Sequence, residues 1–530
     1  MDDHPPVDIR AYHRRTKHAP DRYALGPAYL DWESQPDPFR RFDGARRVAL
    51  PLRLDAPTPA FDALERQPPA ALSANSLGLF LELALGLSAW KQSEGTTWPL
   101  RNNPSSGNLH PTEGWVVLPP VPGLGDAAAL YHYAPYRHAL EERCRFDRAP
   151  ALPEGGFLLA LSSVAWRESW KYGERAFRYC QHDVGHALAA AAYAGACLGW
   201  RVRALAEPSD AQLTALLGLD RADAFQAEEN EHPDLIAVVS PSDAAGFRLE
   251  VPSGRWFGTA NRLSADHEPW PTVEAATALT VKPVTTSPAI PPLSTPKLPG
   301  SALAAGTVIR SRRSAQRMAK GAGISRDAFF RLLSRTLPDP TQVPFSSFPW
   351  PARLALFLFV HAVEGLEPGL YVLIRDPAST ERLRVACDPE FAWQPVPDCP
   401  LPLYVLGLGD LRVTASRMSC QQAIAGHSAF SLGMVADFAR TLEEDGDWAY
   451  RRLFWEAGLI GQVLYLEAVA AGFAGTGIGC FLDDSIHALL GIDGAAQEWQ
   501  SLYHFTVGTA IEDKRLATLP AYAHLSGIAP

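Results

Sequence analysis

Two stretches of this sequence repeat each other, "FRYCQHDVGHALAAAAYAGACLGW" at 177–200 and "YRRLFWEAGLIGQVLYLEAVAAGF" at 450–473. The corresponding pairs, each 273 positions apart as 451 is from 178, are Arg178 and Arg451, Asp183 and Glu456, Gly185 and Gly458, and Gly199 and Gly472. The same spacing separates "LLGLD" at 216 from "LLGID" at 489. A register that holds over forty residues without a gap indicates two copies of one domain.

Each copy also has the same order of predicted strands around this long helix. In the first copy the strands are "WVVLP" at 115, "ALYHY" at 129, "FLLALSS" at 157 and "DLIAVV" at 234; in the second they are "ALFLFV" at 355, "GLYVL" at 369, "LYVLGLG" at 403 and "YHFTVG" at 503. Helices and strands mix without strict alternation, which favours an α+β fold over a doubly wound sheet.

Four segments follow from the duplication. They are an N-terminal arm at 1–59, a first domain at 60–250, a linker at 251–300 and a second domain at 301–530. The linker ends in "VKPVTTSPAIPPLSTPKLPG", whose six prolines predict an extended connector. The N-terminal arm is either a strap that packs over the first domain or a docking element for a partner, and we favour the strap.

Composition narrows the class of protein. The chain is 47% hydrophobic and 20% charged, with a formal net charge of −10 and no long charged run, which argues against nucleic-acid and membrane partners. The longest apolar runs are shorter than the roughly 20 residues of a membrane span. Seven scattered cysteines without a CxxC motif fit a reducing cytoplasm better than a disulfide framework or a zinc site.

A polar loop precedes the first strand of the first copy. Its sequence is "RNNPSSGNLHPTEG" at 101–114, and it concentrates serine, asparagine, glycine and histidine directly before that strand. The second copy has only "PFSSFPWPARL" at the equivalent place. Such a loop is either a turn with local side-chain bonds or a ligand-binding loop.

The second copy has what the first lacks. Its "SRRSAQR" at 311–317 predicts the start of a helix where arginine forks, serine hydroxyls and free amides bind a phosphate. Lys514 and Arg515 follow its last strand and are placed to reach the same phosphate. Its "GTGIGC" at 475–480 would let backbone amides approach a flat ligand. Neither half is complete alone.

These motifs together resemble the FMN-dependent nitroreductase superfamily, and within it the SagB-type thiazoline/oxazoline dehydrogenases. The resemblance spans about 60–250 and 300–530 and implies that the fused halves form an intramolecular pseudo-dimer with one composite FMN site. It assigns to FMN Pro104, Ser105, Ser106 and Asn108 of the first half, and Arg312, Arg313, Ser314, Gln316, Arg317, Gly477, Gly479 and Arg515 of the second. Gln316 departs from the family, which usually has a basic residue there, so Arg317 or Lys514 would compensate.

The same resemblance places a catalytic Lys-Tyr pair at Lys171 and Tyr172, which the second copy lacks. A desolvated lysine, or a tyrosine beside one, can accept a proton while a hydride passes to the flavin. The implied substrate is a heterocycle or a peptide-derived molecule.

Other interpretations remain open. The chain could be an NAD(P)H-dependent nitro or quinone reductase, or a non-catalytic scaffold that engages a peptide. His182 and His186 lie four residues apart as in HExxH metalloproteases, but no third ligand is evident, so we predict no metal. "GTGIGC" does not have the spacing of a dinucleotide fingerprint.

Overall fold

The computed structural model describes residues 4–243, 246–290, 293, 295, 296 and 298–526. Helices of the first half are α1 (Ile9–Arg15), α2 (Ala74–Leu85), α3 (Ala165–Tyr172), α4 (Ala176–Cys197), α5 (Asp210–Leu217) and α6 (Pro271–Leu279). Its strands are β1 (Phe42–Asp43), β2 (Arg47–Ala49), β3 (Leu87–Ser93), β4 (Thr96–Arg101), β5 (Thr112–Leu118), β6 (Ala129–Ala134), β7 (Ala139–Phe146), β8 (Phe157–Val164), β9 (Arg201–Ala204), β10 (Glu231–Ser240), β11 (Gly254–Trp256) and β12 (Thr259–Ala260).

The second half has a matching set. Its helices are α7 (Ala305–Ser311), α8 (Arg326–Ser334), α9 (Thr380–Ala386), α10 (Arg412–Met418), α11 (Ala423–His427), α12 (Phe438–Asp445), α13 (Ala449–Ala470) and α14 (Asp483–Leu490). Its strands are β13 (Leu354–Val360), β14 (Gly369–Leu373), β15 (Gln394–Pro395), β16 (Leu403–Leu408), β17 (Phe430–Asp437), β18 (Ala474–Ile478), β19 (Trp499–Gly508) and β20 (Ala517–Leu519).

Each half is built on one antiparallel sheet, and the two sheets have the same strand order. The first runs β7-β6-β5-β8-β10-β9 and the second β16-β14-β13-β17-β19-β18, with short strands added at the outer edges. Helices α3 and α4 follow β8 as α12 and α13 follow β17. The prediction of two tandem α+β domains is confirmed.

The 273-residue register extends further than the sequence indicated. Strands β8 and β17 begin at 157 and 430, and helices α5 and α14 begin at 210 and 483. One strand assignment was wrong: "LYVLGLG" forms β16, the counterpart of β7, whereas β17 is the counterpart of "FLLALSS". Ser431 and Gly433 interrupt the apolar run of β17 and hid it.

The halves meet where α4 crosses α13, and the contact has two-fold pseudo-symmetry. A Cβ on Gly185 would lie 2.1 Å from the carbonyl oxygen of Trp455, and a Cβ on Gly458 would lie 2.1 Å from that of His182. Both helices therefore need glycine at the crossing. Although α13 is long and apolar enough to cross a membrane, 89% of its apolar window is buried in the protein.

The segments outside the repeats also join the halves. In α1, the His13 carbonyl accepts a bond from Arg178 of the first half at 2.6 Å, and the His13 ring bonds to Tyr450 of the second. Strand β20 leaves the second half and pairs with β3 of the first. Within the predicted 251–300 linker, the structure differs: residues 254–279 form β11, β12 and α6, because β11 pairs with β7 and α6 buries Val273 and Ala276.

Candidate functional site

A cavity of about 430 Å³ lies between the two halves. Eleven of the side chains or backbone positions predicted from the sequence line it: Pro104, Ser105, Ser106, Asn108, Tyr172, Arg312, Arg313, Ser314, Gln316, Gly477 and Gly479. The first five come from the first half and the other six from the second, so the duplicated frame brings distant motifs to one place.

The arginine-serine segment forms one wall, but in a different conformation from the predicted one. Helix α7 ends at Ser311, and the following residues are extended, with Ser314 bridging to Gly475 of β18 and Met318 to Ala510. The segment therefore follows a helix and does not begin one, because its backbone bonds to neighbouring strands. Helix N-terminal amides are absent from this wall as the structure describes it.

Two arginines of this segment carry charge without a counter-ion. Arg312 donates to the carbonyls of Asn102 and Arg101 at 3.1 and 2.8 Å, and Arg313 donates to that of Ser88 at 3.0 Å. Within the described part of the chain, no carboxylate forms an ion pair with either. Burial, and then the charge of adjacent Arg312, lower the pKa of Arg313 to about 10, so this guanidinium stays cationic at neutral pH.

Other lining residues strengthen this positive charge. Lys91 and Arg101 also line the cavity, and neither has an ion-pair partner among the described residues. Asp183 is the one acidic side chain among the described lining residues. A cavity with four cations and one carboxyl group attracts an anion, and guanidinium forks suit phosphate oxygens.

Three predicted site residues lie away from this wall. The Arg515 side chain is 80% exposed and pairs with Asp513 at 2.6 Å, two residues before it. Arg317 is exposed beside it, and neither lines the cavity. Lys171 does not line the cavity either, and its Nζ lies 5.5 Å from the centre of the Tyr172 ring.

The polar loop of the first half is held rigidly, and this changes the predicted role of its amide. Gly107, Asn108 and His110 all have positive φ angles. Asn108 donates its Nδ2 to the Pro99 carbonyl at 2.8 Å, and its Oδ1 bonds to the His110 ring at 3.0 Å. The Asn108 amide was expected to face the ligand, but the loop itself uses both of its ends.

The loop also positions two buried carboxyl groups. Asp183 Oδ1 accepts the Ser106 N–H at 3.2 Å, and Glu168 Oε1 lies 3.4 Å from Ser105 Oγ. Burial raises the pKa of Asp183 to about 8 despite the serine bonds. Burial, and then the charge of Asp183, hold the pKa of Glu168 well above its ordinary value. The pair therefore retains a proton at neutral pH.

We predict that Asp183→Asn stabilises the cofactor-free protein at high pH. An aspartate in an unfolded chain releases its proton near pH 3.9, about four units below Asp183 in the fold, so the native protein loses stability as pH rises through this range. Relative to wild type, the free energy of unfolding of the variant should gain about 1–3 kcal/mol between pH 5 and 8.5. Thermal melts across pH test this, with the 86% exposed Asp126→Asn as control; parallel curves would contradict it.

Tyr172 lines the cavity, where it packs against the polar loop. Its hydroxyl would lie 2.6 Å from a Cβ on Gly107, so the glycine allows the ring to pack against the loop. Burial, and then the charge of Glu168, hold the pKa of Tyr172 well above its ordinary value. The phenol therefore stays protonated at neutral pH and can donate a hydrogen bond.

Aromatic side chains form the back of the cavity, and sequence reasoning missed them. Tyr465 OH bonds to Ser314 Oγ at 2.8 Å and accepts the Gly477 N–H at 2.9 Å. Tyr503 OH would lie 1.9 Å from a Cβ on Gly477, so this glycine makes room for a tyrosine. The expected approach of a ligand to bare glycines is thus partly replaced by tyrosine packing.

The two histidines of α4 serve packing and hydrogen bonding. His186 Nδ1 lies 3.2 Å from Gln462 Oε1 and its Nε2 lies 3.2 Å from Tyr503 OH. The His182 ring stacks on Tyr503 with centroids 4.1 Å apart. In the described part of the chain, no group of three or more His, Cys, Asp or Glu side chains could hold a metal ion.

The mirror-related position has different chemistry. Glu456, the repeat partner of Asp183, forms an ion pair with Arg375 and accepts the Arg353 N–H at 2.9 Å. Phe345 and Phe348 stand in the segment equivalent to the polar loop, and both are buried. The carboxyl of the first half is thus unpaired, while that of the second is neutralised.

Comparisons with known proteins agree with this architecture. The chain has the fold of a putative nitroreductase from Anabaena variabilis, at 21% identity and a TM-score of 0.69, over 96% of this chain and 100% of that chain. Residues 309–509, which lie in the second half, match the model of the nitroreductase family. No curated protein sequence matches the chain.

Two other solved structures match a smaller share of the chain. A putative nitroreductase from Ralstonia eutropha is 14% identical over 42% of this chain and 89% of its own, with a TM-score of 0.29. An FMN-dependent nitroreductase from Clostridium difficile is 13% identical over 38% of this chain and 86% of its own, with a TM-score of 0.20.

Proposed function

We propose that the chain is an FMN-dependent oxidoreductase with one composite cofactor site between its halves. The observation that carries this proposal is the cavity wall formed by Arg312 and Arg313, two cations without counter-ions, opposite the rigid Ser105-Ser106 loop. An anionic cofactor would compensate both charges. When bound, FMN supplies hydride transfer at N5.

The residues fit this cofactor in three ways. Arg312, Arg313 and the Ser314 hydroxyl would hold its phosphate. Tyr465 and Tyr503 offer aromatic rings on the same cavity, next to Gly477. The orphaned Oδ2 of buried Asp183 lacks a hydrogen-bond partner and is available to a polar ligand.

Proton movement is assigned to the first half. The buried Asp183–Glu168 pair retains a proton at neutral pH, and Tyr172 adds a phenol that stays protonated. Lys171, next to Tyr172, remains our proposed base for substrate oxidation, reached through movement of its side chain. The proposed substrate is a heterocycle or a peptide-derived molecule, as in SagB-type dehydrogenases, and the proposed location is the cytoplasm.

The decisive experiment is to quantify FMN released per purified chain and to record its visible spectrum. We expect one FMN per chain. Two would indicate that the mirror-related position also binds, and none after adding FMN would overturn the proposal and favour a scaffold. Stopped-flow mixing with NADPH then separates the reactions, because rapid bleaching indicates an NAD(P)H-dependent reductase and its absence indicates a dehydrogenase.

We further expect Lys171→Ala to lower turnover by about 100-fold or more while FMN stays bound, as for the loss of a general base. Substrate oxidation and the FMN content of the same sample give both readouts. Arg317→Ala, an exposed cation outside the cavity, serves as control. Full turnover by the Lys171 variant would remove this residue from the mechanism.

A further inference from the structure

Two cysteines meet at the wall of the same cavity. Cys480 lines the cavity at the end of the "GTGIGC" segment, and Cys420 follows α10. Their Sγ atoms are 2.7 Å apart, although the residues are sixty positions apart in sequence. A disulfide has an S–S length of about 2.05 Å, so closing the pair needs a movement of less than about 1 Å.

The backbone holds Cys420 in this position. Cys420 and Gln421 have φ angles of 51° and 62°, in the left-handed region that non-glycine residues rarely occupy. Gln422 donates its Nε2 to the Cys480 carbonyl at 3.2 Å, which ties the two segments together. Consecutive unfavourable φ angles persist where the surrounding structure enforces them, often at functional sites.

The surroundings make the two sulfurs unequal. The hydrogen bond between the two sulfurs, and then the neighbouring His18 and Arg175, lower the pKa of the Cys480 thiol. The same bond raises the pKa of Cys420. The Ala24 N–H donates to His18 Nδ1 at 3.0 Å, which leaves the proton of a neutral His18 on Nε2 for the sulfur. Arg175 donates to the Gly479 carbonyl beside Cys480 at 3.2 Å.

The other described cysteines lack this environment. Burial raises the pKa of Cys144, Cys197 and Cys387 to about 12. The repeat partner of Cys480, 273 positions earlier, is Glu207, so the first half has no equivalent thiol at this place. In the described part of the chain, the pair belongs to no group of three or more His, Cys, Asp or Glu side chains that could hold a metal ion.

We propose that Cys420 and Cys480 are a redox-active cysteine pair on the cavity wall that reduces low-molecular-weight disulfides, with Cys480 as the attacking sulfur. The geometry carries this inference without the flavin. Attack needs a thiolate, and exchange is fastest for an exposed thiol whose pKa lies near or below the ambient pH. Cys480 faces the cavity, whereas Cys420 is placed behind it to resolve the intermediate.

The exchange balances in two steps. The Cys480 thiolate attacks one sulfur of the small disulfide, forming a mixed disulfide and releasing the other sulfur as a thiolate. Cys420 then gives its proton to that leaving thiolate, and its Sγ attacks Cys480 Sγ. The Cys420–Cys480 bond forms as the bond to the second small thiol breaks. The pair loses two electrons, and the small disulfide becomes two thiols, the second of which takes its proton from water as it leaves.

The test uses the full-length protein, reduced, desalted and treated with oxidised glutathione. Peptide mass mapping of the wild type should show a Cys420–Cys480 disulfide and no retained glutathione. Cys420→Ser should trap one glutathione on Cys480, and Cys480→Ser should show neither product. Cys399→Ser, a partly buried cysteine elsewhere, is the matched control and should behave as wild type.

Alkylation kinetics give an independent readout. At pH 6.5, iodoacetamide should modify Cys480 about 10-fold or more faster than the other cysteines. His18→Ala should shift the pH midpoint of Cys480 alkylation upward, which a merely structural role of His18 would not do. The inference is overturned if wild-type protein keeps all its thiols in oxidised glutathione, or if Cys480 reacts no faster than Cys399.

Discussion

Arg312→Ala should weaken FMN binding by about 10- to 100-fold, while riboflavin, which lacks the phosphate, should bind within about threefold of wild type. A charge-assisted hydrogen bond to phosphate contributes about 1.5–3 kcal/mol, and Arg312 has no carboxylate that would claim its charge among the described residues. Fluorescence titration of cofactor-free protein with each ligand measures both affinities.

The riboflavin comparison separates recognition from structure. Arg312 also donates to the carbonyls of Arg101 and Asn102, so its removal could disturb the first half. An equal loss for both ligands would show such a structural effect and contradict the phosphate assignment. Arg515→Ala, whose side chain is 80% exposed and paired with Asp513, is the matched control and should leave both affinities unchanged.

Asp483→Asn should cost about 3–5 kcal/mol of stability, because it leaves two buried guanidinium groups without a counter-ion. Asp483, at the start of α14 in the second half, accepts bonds from Arg175 and Arg178 of the first at 3.0 and 2.8 Å. The His18 N–H of the arm adds a third bond at 2.9 Å. Urea unfolding or thermal melts measure the loss.

The pH dependence of this effect has a definite sign. Burial raises the pKa of Asp483, but Arg175 and Arg178 outweigh it and hold that pKa well below its ordinary value. The contribution of Asp483 is therefore complete above about pH 4 and shrinks as pH falls further. Asp410→Asn, at an ion pair whose carboxylate is 64% exposed, should cost no more than about 1 kcal/mol. Equal losses for the two variants would contradict this prediction.

The pseudo-symmetry repeats the same ion pair. Arg451 and Asp210 stand 273 positions from Arg178 and Asp483 with the roles of the halves exchanged, and they bond at 2.8 Å. The second ion pair lies across the same interface. We interpret the two pairs as pseudo-symmetric ion pairs that fix the orientation of one half relative to the other.

Much of the fold could be predicted from the sequence because the internal repeat is visible in this one sequence, without comparison to another protein. The two long helices align at a constant spacing of 273 positions, which predicted that the two halves pair. That pairing in turn predicted that the polar motifs of the two halves form one site. Local conformation was harder to predict. Ser314 forms a β-bridge with Gly475, 161 positions later, in which the Ala315 N–H donates to the Gly475 carbonyl, so "SRRSAQR" is extended and not helical as predicted.

The missed site residues have a common physical reason. Tyr465 and Tyr503 come from a buried helix and strand, where aromatic residues usually belong to the core. The proximity of Cys420 and Cys480 depends on a loop with left-handed backbone and on an N-terminal arm folded beside it. Neither contact has a periodicity or spacing that a sequence pattern could reveal.

The glycine crossing of α4 and α13 has a consequence for how this protein can change over generations. In a dimer of identical chains, every substitution appears at both related positions and must suit both. In this chain, Gly185 and Gly458 allow the two helices to cross closely, while a substitution in one half leaves the sequence of the other half unchanged. Asp183 has no ion-pair partner among the described residues, whereas its repeat partner Glu456 forms an ion pair with Arg375. The position in the first half that corresponds to Cys480 is Glu207. Because both halves belong to one chain, the residues of one site can change while those of the mirror-related position stay the same.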